Sequence, residues 1–260
     1  MYKIFIINLK KDTDRRKYIE SHLQENNLDY EIIDAVYGKD LTPEELETIT
    51  DLKLSQKKMG KTISLNEIGC SLSHQKVYKK IINDNLDGAI ILEDDIVLSS
   101  NFSEIINSIS KNKYLLKDNC WVGFGKAYID IKDKIFNINE YFAIHSSPRT
   151  KGAFAYYIDK VAAQNLITYN KKIIYVADWF FGGYLNKINL YNTNYACSIP
   201  KPDIKSSIGE TRKKDTNIIK AFFTYMRKTY TRAYYYKYNL GVVSGKYKKN
   251  KICNDLTNKT

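Results

Sequence analysis

Three histidines, four scattered cysteines and no Cys-x-x-Cys pair leave this 260-residue chain poor in several kinds of chemistry. A Ser–His hydrolase would have to use His22, His74 or His145, and no Gly-x-Ser-x-Gly elbow is present to hold its serine. Cys70, Cys120, Cys197 and Cys253 lie far apart in sequence, so they read as reduced, inert thiols and not as a zinc framework. No apolar run approaches the roughly 20 residues of a membrane-spanning helix. The opening Met-Tyr-Lys-Ile-Phe-Ile-Ile-Asn-Leu-Lys returns to charge too soon for a secretory signal. The expectation is a protein kept in the cytoplasm. No internal repeat and no low-complexity tract is present.

What is there is a globular composition, 43% hydrophobic, with a net charge of +12 that is unevenly spread. Residues 201–260 carry 15 of the 41 basic and 4 of the 29 acidic residues, so +11 of the +12 sits in the last 60 positions. The first 200 residues are nearly balanced. The expected division is a globular domain over residues 1–210 and a basic, aromatic segment over 211–260.

Lys3–Asn8 has strand character, residues 13–26 have helical spacing, and Tyr30–Asp34 reads as a second strand. This strand–helix–strand opening favours an α/β fold with a mostly parallel central sheet. Thr42-Pro43-Glu44-Glu45 is a helix start, with Thr as cap and acids at the positive end of the dipole. Residues 66–83 form a helix apolar on two sides, which places it deep in the domain. It feeds a strand at Ala89–Leu92. Further strands are expected at Cys120–Phe124 and Ala153–Ile158, with a polar loop or hairpin region between, and a helix at Lys160–Tyr169.

The apolar strand ending in Leu92 stops at three carboxylates, Glu93, Asp94 and Asp95. Alternation along an extended chain would put Glu93 and Asp95 on one side and Asp94 on the other. Two such carboxylates can hold a hard divalent cation, and the cation can hold a diphosphate. It would stabilise charge developing on a departing diphosphate. A solvated acidic turn is the simpler alternative. Asn8 and Leu9 end the first strand, where ligands of open α/β sheets bind. Arg15 and Arg16 open the next helix, and an Arg there can meet phosphate oxygens. Asp178 sits among apolar and aromatic residues. It reads either as a desolvated proton acceptor, with Trp179 as a face for sugar stacking, or as a helix N-cap.

Taken together, Ile6-Ile7-Asn8-Leu9 with Arg15-Arg16, Asp34-Ala35 with Gly38, Glu67-Ile68-Gly69-Cys70-Ser71-Leu72-Ser73-His74, Leu92-Glu93-Asp94-Asp95 and Gly152-Ala153-Phe154-Ala155-Tyr156 resemble glycosyltransferase family 25. This is the family of lipooligosaccharide and lipopolysaccharide biosynthesis galactosyltransferases. The resemblance covers about residues 2–210, and Gly-Cys-Ser-Leu-Ser-His and Leu-Glu-Asp-Asp are its most specific parts. It implies a GT-A-like fold, a UDP-sugar donor, commonly UDP-galactose, and an inverting transfer, and a lipid-linked oligosaccharide is the expected acceptor for an enzyme that must reach a membrane surface. Asp95, helped by Glu93, would hold Mn²⁺ or Mg²⁺, with Glu93 on the metal or on the ribose or sugar hydroxyls. Asn8, Leu9, Arg15, Gly69, Ser73, His74, Glu93 and Asp94 would bind or shape the donor site. Asp178 as the base that deprotonates the acceptor is an inference from its surroundings more than from the resemblance. UDP-glucose is the alternative donor. A decayed, non-catalytic membrane- or nucleic-acid-binding module is the alternative class.

In the basic segment, Ile218, Ile219, Phe222, Phe223, Met226, Tyr230, Ala233 and Tyr234 share one helical face, and Lys220, Arg227, Lys228 and Arg232 the other. Residues 211–251 therefore read as an amphipathic contact with an anionic membrane surface, on the inner face of the cytoplasmic membrane. Packing on the domain is a second reading. Basic charge interleaved with Tyr also suits nucleic acid, a weaker fit behind a domain of this kind.

Overall fold

The structure is a computed structural model that describes residues 2–130, 132–150, 152–178, 188–202 and 244–257. In chain order its elements are β1 (Lys3–Asn8), α1 (Thr13–Glu25), β2 (Glu31–Asp34), α2 (Pro43–Ile49), α3 (Leu52–Met59), α4 (Leu65–Asn83), β3 (Gly88–Glu93), β4 (Ile96–Leu98), α5 (Phe102–Lys111), β5 (Cys120–Gly123), β6 (Ala127–Asp130), β7 (Lys134–Asn137), β8 (Ala143–Ser146), β9 (Arg149–Thr150), β10 (Ala155–Asp159), α6 (Lys160–Tyr169), β11 (Asn189–Thr193), β12 (Tyr195–Ala196), β13 (Ser198–Pro200), β14 (Tyr247–Lys249), β15 (Lys251–Ile252) and α7 (Asn254–Thr257).

The central sheet has eight strands in the order β2-β1-β3-β10-β5-β11-β8-β7. Pairings β1–β2, β1–β3 and β5–β11 are parallel and the rest antiparallel. Followed across the sheet, all strands but β10 and β8 run one way. The fold is α/β, with a central sheet mostly parallel in direction, as the opening strand–helix–strand pattern implied.

Side-chain alternation splits the core in two. Ile4 and Ile6 of β1 and Ile90 and Leu92 of β3 face Ile19 and Leu23 of α1 and Phe102, Ile105, Ile106 and Ile109 of α5. Phe5, Ile7, Ala89 and Ile91 face Val77, Tyr78 and Ile81 of α4 and Ala162 and Ala163 of α6. Both faces of β1 and β3 are covered, which is why these strands are apolar at nearly every position. The far side of α4 is also closed, because Ile68 packs with Met59, Ile63 and Ile173. The two-sided apolar helix is thus sandwiched between the sheet and a small satellite core.

This layout fixes where a ligand can enter. From β1 the chain goes to β2 on one side, then crosses to β3 on the other. Helix α1 covers one face of the sheet and α4 the opposite face. The strand order therefore switches between β1 and β3, and a crevice opens beyond their carboxyl ends.

The polar stretch before β10 holds four short strands, of which β6 pairs with β9 and β14. Residues 203–243, most of the basic segment including the amphipathic face at 218–234, lie outside the described residues, as does Trp179. Residues 244–257 return to the body: β15 pairs with β12, and Leu256 is fully buried in the larger core. Among the described residues, no helix is long and apolar enough to cross a membrane.

Candidate active site

A cleft of about 110 Å³ lies beyond the carboxyl ends of β1 and β3. Its walls come from the end of β1 (Ile7, Leu9), the start of α1 (Arg15), the segment after β2 (Ala35–Gly38), one side of α4 (Asn66, Cys70, Ser73, His74) and the end of β3 with its turn (Glu93, Asp94, Asp95).

The local folding follows from short-range bonds. Asp12 N–H donates to Leu9 O at 2.8 Å, closing a turn directly after β1. That turn starts α1 so that Arg15, in its first turn, faces back over the strand ends. Ser64 caps α4, accepting from Glu67 N while the Glu67 side chain accepts from Ser64 N. Gly69 brings the helix against the segment after β2. A Cβ there would stand 2.6 Å from Val36 O and 2.7 Å from Gly38 N. Ser73 fastens the same contact, accepting from Val36 N at 2.8 Å and donating to Gly69 O at 2.7 Å.

Arg15 holds the acidic turn. Its Nη1 lies 3.1 Å from Asp94 Oδ1 and its Nη2 2.5 Å from Asp95 Oδ2. Asn8 Nδ2 donates to Asp94 Oδ2 at 2.7 Å. The expected alternation of the three acids does not hold, because β3 ends at Glu93 and a turn begins at Asp94. A turn brings the neighbouring Asp94 and Asp95 to one guanidinium, and all three carboxylates line the cleft.

Glu93 turns toward α4. Its Oε1 is 3.3 Å from His74 Nε2 and 4.0 Å from Cys70 Sγ. His74 Nδ1 meets the Tyr156 hydroxyl at 2.7 Å, and that hydroxyl meets Tyr78 Oη at 2.9 Å. His74, Tyr78 and Tyr156 are all buried, so this chain of polar groups is satisfied internally.

One guanidinium stands among three carboxylates. Asp95 is pushed up to about 6, by burial first and by the charge of Glu93 second, with Arg15 opposing. Burial also raises Asp94, against the pull of Arg15 and Asn8. Burial, then the charges of Glu93, Asp178 and Asp95, holds the Cys70 thiol well above its ordinary range. Mn²⁺ and Mg²⁺ take carboxylate oxygens of the kind Glu93 and Asp95 offer, with Glu93 turned toward His74 and Asp95 toward Arg15.

Of the residues singled out in the sequence, Leu9, Arg15, Ser73, His74, Glu93, Asp94 and Asp95 line the cleft. Asn8 lies behind it, fully buried, and positions Asp94. Gly69 acts through packing. Asp178 is exposed, so the expected desolvation is absent, because the residues before it pack on α3 and α4 while its own side chain reaches solvent. Its charge still acts on Cys70. Sequence reasoning missed Tyr37 and Asn66 and gave Cys70 no role. The position of Tyr37 just beyond the end of β2 was the available signal.

Residues 1–181 match the model of "Glycosyltransferase family 25 (LPS biosynthesis protein)". The chain is similar to procollagen galactosyltransferase 1-A of Xenopus laevis, 36% identical over 97 residues, which is 36% of this chain and 16% of that protein. It is similar to human procollagen galactosyltransferase 2, 31% identical over 113 residues, 42% of this chain and 18% of that one. It is also similar to R655 of Acanthamoeba polyphaga mimivirus, whose glycosyltransferase name is provisional, 33% identical over 175 residues, 64% of this chain and 52% of that one. The matched region is thus less than a fifth of the animal proteins and about half of the viral one. A solved glycosyltransferase involved in glycosylation of the major capsid of PBCV-1 aligns over 71% of this chain and 72% of its own, at 12% identity and a TM-score of 0.31.

Proposed function

We propose that this chain, which belongs to glycosyltransferase family 25, moves galactose from UDP-galactose to a saccharide acceptor with inversion at the anomeric carbon. The observation that carries the reading is the cluster of Glu93, Asp94 and Asp95 around Arg15 at the switch point of the sheet. Galactose as the sugar is supported by the names of the animal relatives.

The residues divide the work as follows. Glu93 and Asp95 would hold Mn²⁺ or Mg²⁺. When bound, such an ion supplies positive charge against the diphosphate as it leaves. Arg15, held by Asp94 and Asp95, keeps its guanidinium at the mouth of the same cleft and can meet phosphate oxygens there. Leu9 and the segment Ala35–Gly38 form the wall for the nucleoside, while Ser73 and Gly69 keep that wall against α4. Asp178, exposed and near Cys70, accepts the proton of the acceptor hydroxyl as it attacks from the face opposite UDP.

A lipid-linked oligosaccharide is the proposed acceptor, in keeping with the lipopolysaccharide description of the family. The basic, aromatic stretch 211–251 would then bring the enzyme to an anionic membrane surface from the cytoplasmic side.

The test is UDP release from UDP-galactose with Mn²⁺, with and without EDTA, across a panel of oligosaccharide acceptors. Loss of turnover in EDTA and in Asp95→Ala supports the reading. Metal-independent turnover, or full activity in Asp95→Ala, overturns the metal assignment. UDP-glucose used in preference to UDP-galactose overturns the sugar.

A further inference from the structure

Cys70, His74 and Glu93 bring a sulfur, a nitrogen and a carboxylate oxygen within 4.8 Å of one another on the inner wall of the cleft. Cys70 and His74 are four residues apart on α4 and so share a face. Glu93 reaches them from the end of β3. The oxygen lies 3.3 Å from His74 Nε2 and 4.0 Å from Cys70 Sγ. Around a tetrahedral ion with bonds of about 2.0–2.3 Å, neighbouring ligand atoms stand roughly 3.3–3.8 Å apart. The His74–Glu93 pair is at ligand spacing already, and the sulfur, 4.0 Å from the carboxylate oxygen and within 4.8 Å of the imidazole nitrogen, would close on the ion by a turn of the Cys70 side chain through up to about one ångström.

The supporting groups fit as well. A metal-binding histidine is ordinarily held by a hydrogen bond at its other ring nitrogen. Here Tyr156 meets Nδ1 at 2.7 Å and is itself held by Tyr78, which aims Nε2 at Glu93 and the cleft. Cys70 and Glu93 are half-buried and line the cleft, so an ion can enter, and a fourth position stays open to solvent or ligand.

We propose that Cys70, His74 and Glu93 form a binding site for Zn²⁺, distinct in chemistry from the oxygen site of Glu93 and Asp95, and that its occupation blocks the donor by taking Glu93. Thiolate and imidazole select zinc, while all-oxygen sets select magnesium and manganese. Binding is an exchange without redox change: the Cys70 S–H bond breaks, a Zn–S bond forms, and one proton leaves to solvent. The site itself rests on geometry alone. Only its inhibitory consequence rests on the transferase reading.

Cobalt is the spectroscopic probe, because a thiolate ligand gives Co²⁺ a sulfur-to-metal charge-transfer band. The full chain, reduced without thiols, is titrated with Co²⁺. The expected result is that band together with ligand-field bands of tetrahedral intensity. One equivalent of Zn²⁺ should erase both, and a hundredfold excess of Mg²⁺ should not. Cys70→Ser, with its far-ultraviolet circular dichroism unchanged, should lose the charge-transfer band. Glu93→Gln should keep it with at least tenfold weaker binding. No charge-transfer band in the native chain, or the same band in folded Cys70→Ser, overturns the site. If Cys70→Ser does not fold, an unweakened Glu93→Gln overturns it instead. UDP binding by calorimetry should fall at least tenfold on Zn²⁺ loading. Undiminished UDP affinity overturns the blockade while leaving the site, and no UDP binding with or without zinc overturns the transferase reading instead.

Discussion

Arg15 Nη2 and Asp95 Oδ2 meet at 2.5 Å across 80 residues of sequence, joining the first helix to the turn after β3. The pair does not neutralise its surroundings, because Glu93 and Asp94 stand beside it. Burial first, and then the charge of Glu93, put Asp95 at about 6 where a free Asp has 3.8, with Arg15 opposing. For a carboxylate raised in the folded state, ionisation costs stability. The cost is complete above the folded value and fades as pH falls toward the unfolded one. About two units correspond to roughly 3 kcal/mol. Asp95→Asn should thus raise stability by about 1–3 kcal/mol at pH 7.5 while abolishing metal-dependent transfer. Thermal melts at pH 7.5 and pH 4.5 check the sign: the gain over the native chain must shrink at the lower pH.

The opposite change should have the opposite effect. Arg15→Gln leaves Asp94 and Asp95 without their cation in a site where Asp94 is only 5% exposed. Removing one partner of such a buried pair costs about 3–5 kcal/mol. Urea denaturation at pH 7.5 measures it, and part of the loss should return at pH 5 as the two acids take up protons. A variant as stable as the native chain at pH 7.5 contradicts the account.

Much of the architecture is legible in the sequence. Lys3–Asn8, Lys160–Tyr169 and the capped helix start at Thr42 follow from strand spacing, helical spacing and capping chemistry. Two-sided burial of α4 followed from its apolar residues. The acidic cluster was legible as chemistry but not as geometry. Strand alternation separates Asp94 from Asp95, and only the turn that begins at Asp94 joins them on Arg15. His74 was legible as a polar residue beside the carboxylates, because α4 runs directly into β3, but which carboxylate it meets was not. Asp178 shows the reverse error: apolar neighbours in sequence did not make an apolar environment in space.

Gly69 tests how the cleft wall is held. In a helix interior, Gly→Ala ordinarily stabilises by about 1 kcal/mol. At Gly69 the new Cβ would press on Val36 O and Gly38 N, both backbone atoms that cannot rotate away. Gly69→Ala should instead cost about 1–3 kcal/mol, the usual penalty of overpacking. The strain falls on the segment that also lines the cleft, so KM for the UDP-sugar should rise more than kcat falls. A stabilised variant with unchanged KM contradicts the role given to Gly69.

Tyr156→Phe removes one oxygen from the centre of a buried relay. The change leaves His74 Nδ1 and Tyr78 Oη without their shared partner. Each buried polar group left unpaired costs about 1–3 kcal/mol. The double change Tyr78→Phe with Tyr156→Phe should cost less than the sum of its parts, because Tyr78 then no longer strands a hydroxyl. Chemical denaturation of the two single variants and the double variant gives the coupling directly, and strict additivity refutes the relay.

The end of the chain decides how the basic segment must be tested. Cutting the chain after Glu210 would remove β14, β15 and α7 along with the basic stretch. Asn250 accepts from Ala127 N at 2.7 Å and donates to Gly125 O at 2.9 Å, tying the last strands to the loop beside β6. Leu256 is fully buried, and Leu256→Ala should cost about 2–5 kcal/mol. A truncated protein that unfolds would therefore say nothing about membranes. Replacing Lys220, Arg227, Lys228 and Arg232 with Gln keeps the chain whole and removes four charges. At about 1 kcal/mol per basic residue near an anionic surface, sedimentation with phosphatidylserine vesicles should fall by at least a hundredfold in affinity, with thermal stability unchanged. Equal binding by the substituted chain would remove the membrane contact from the proposed function and leave the cleft as it stands.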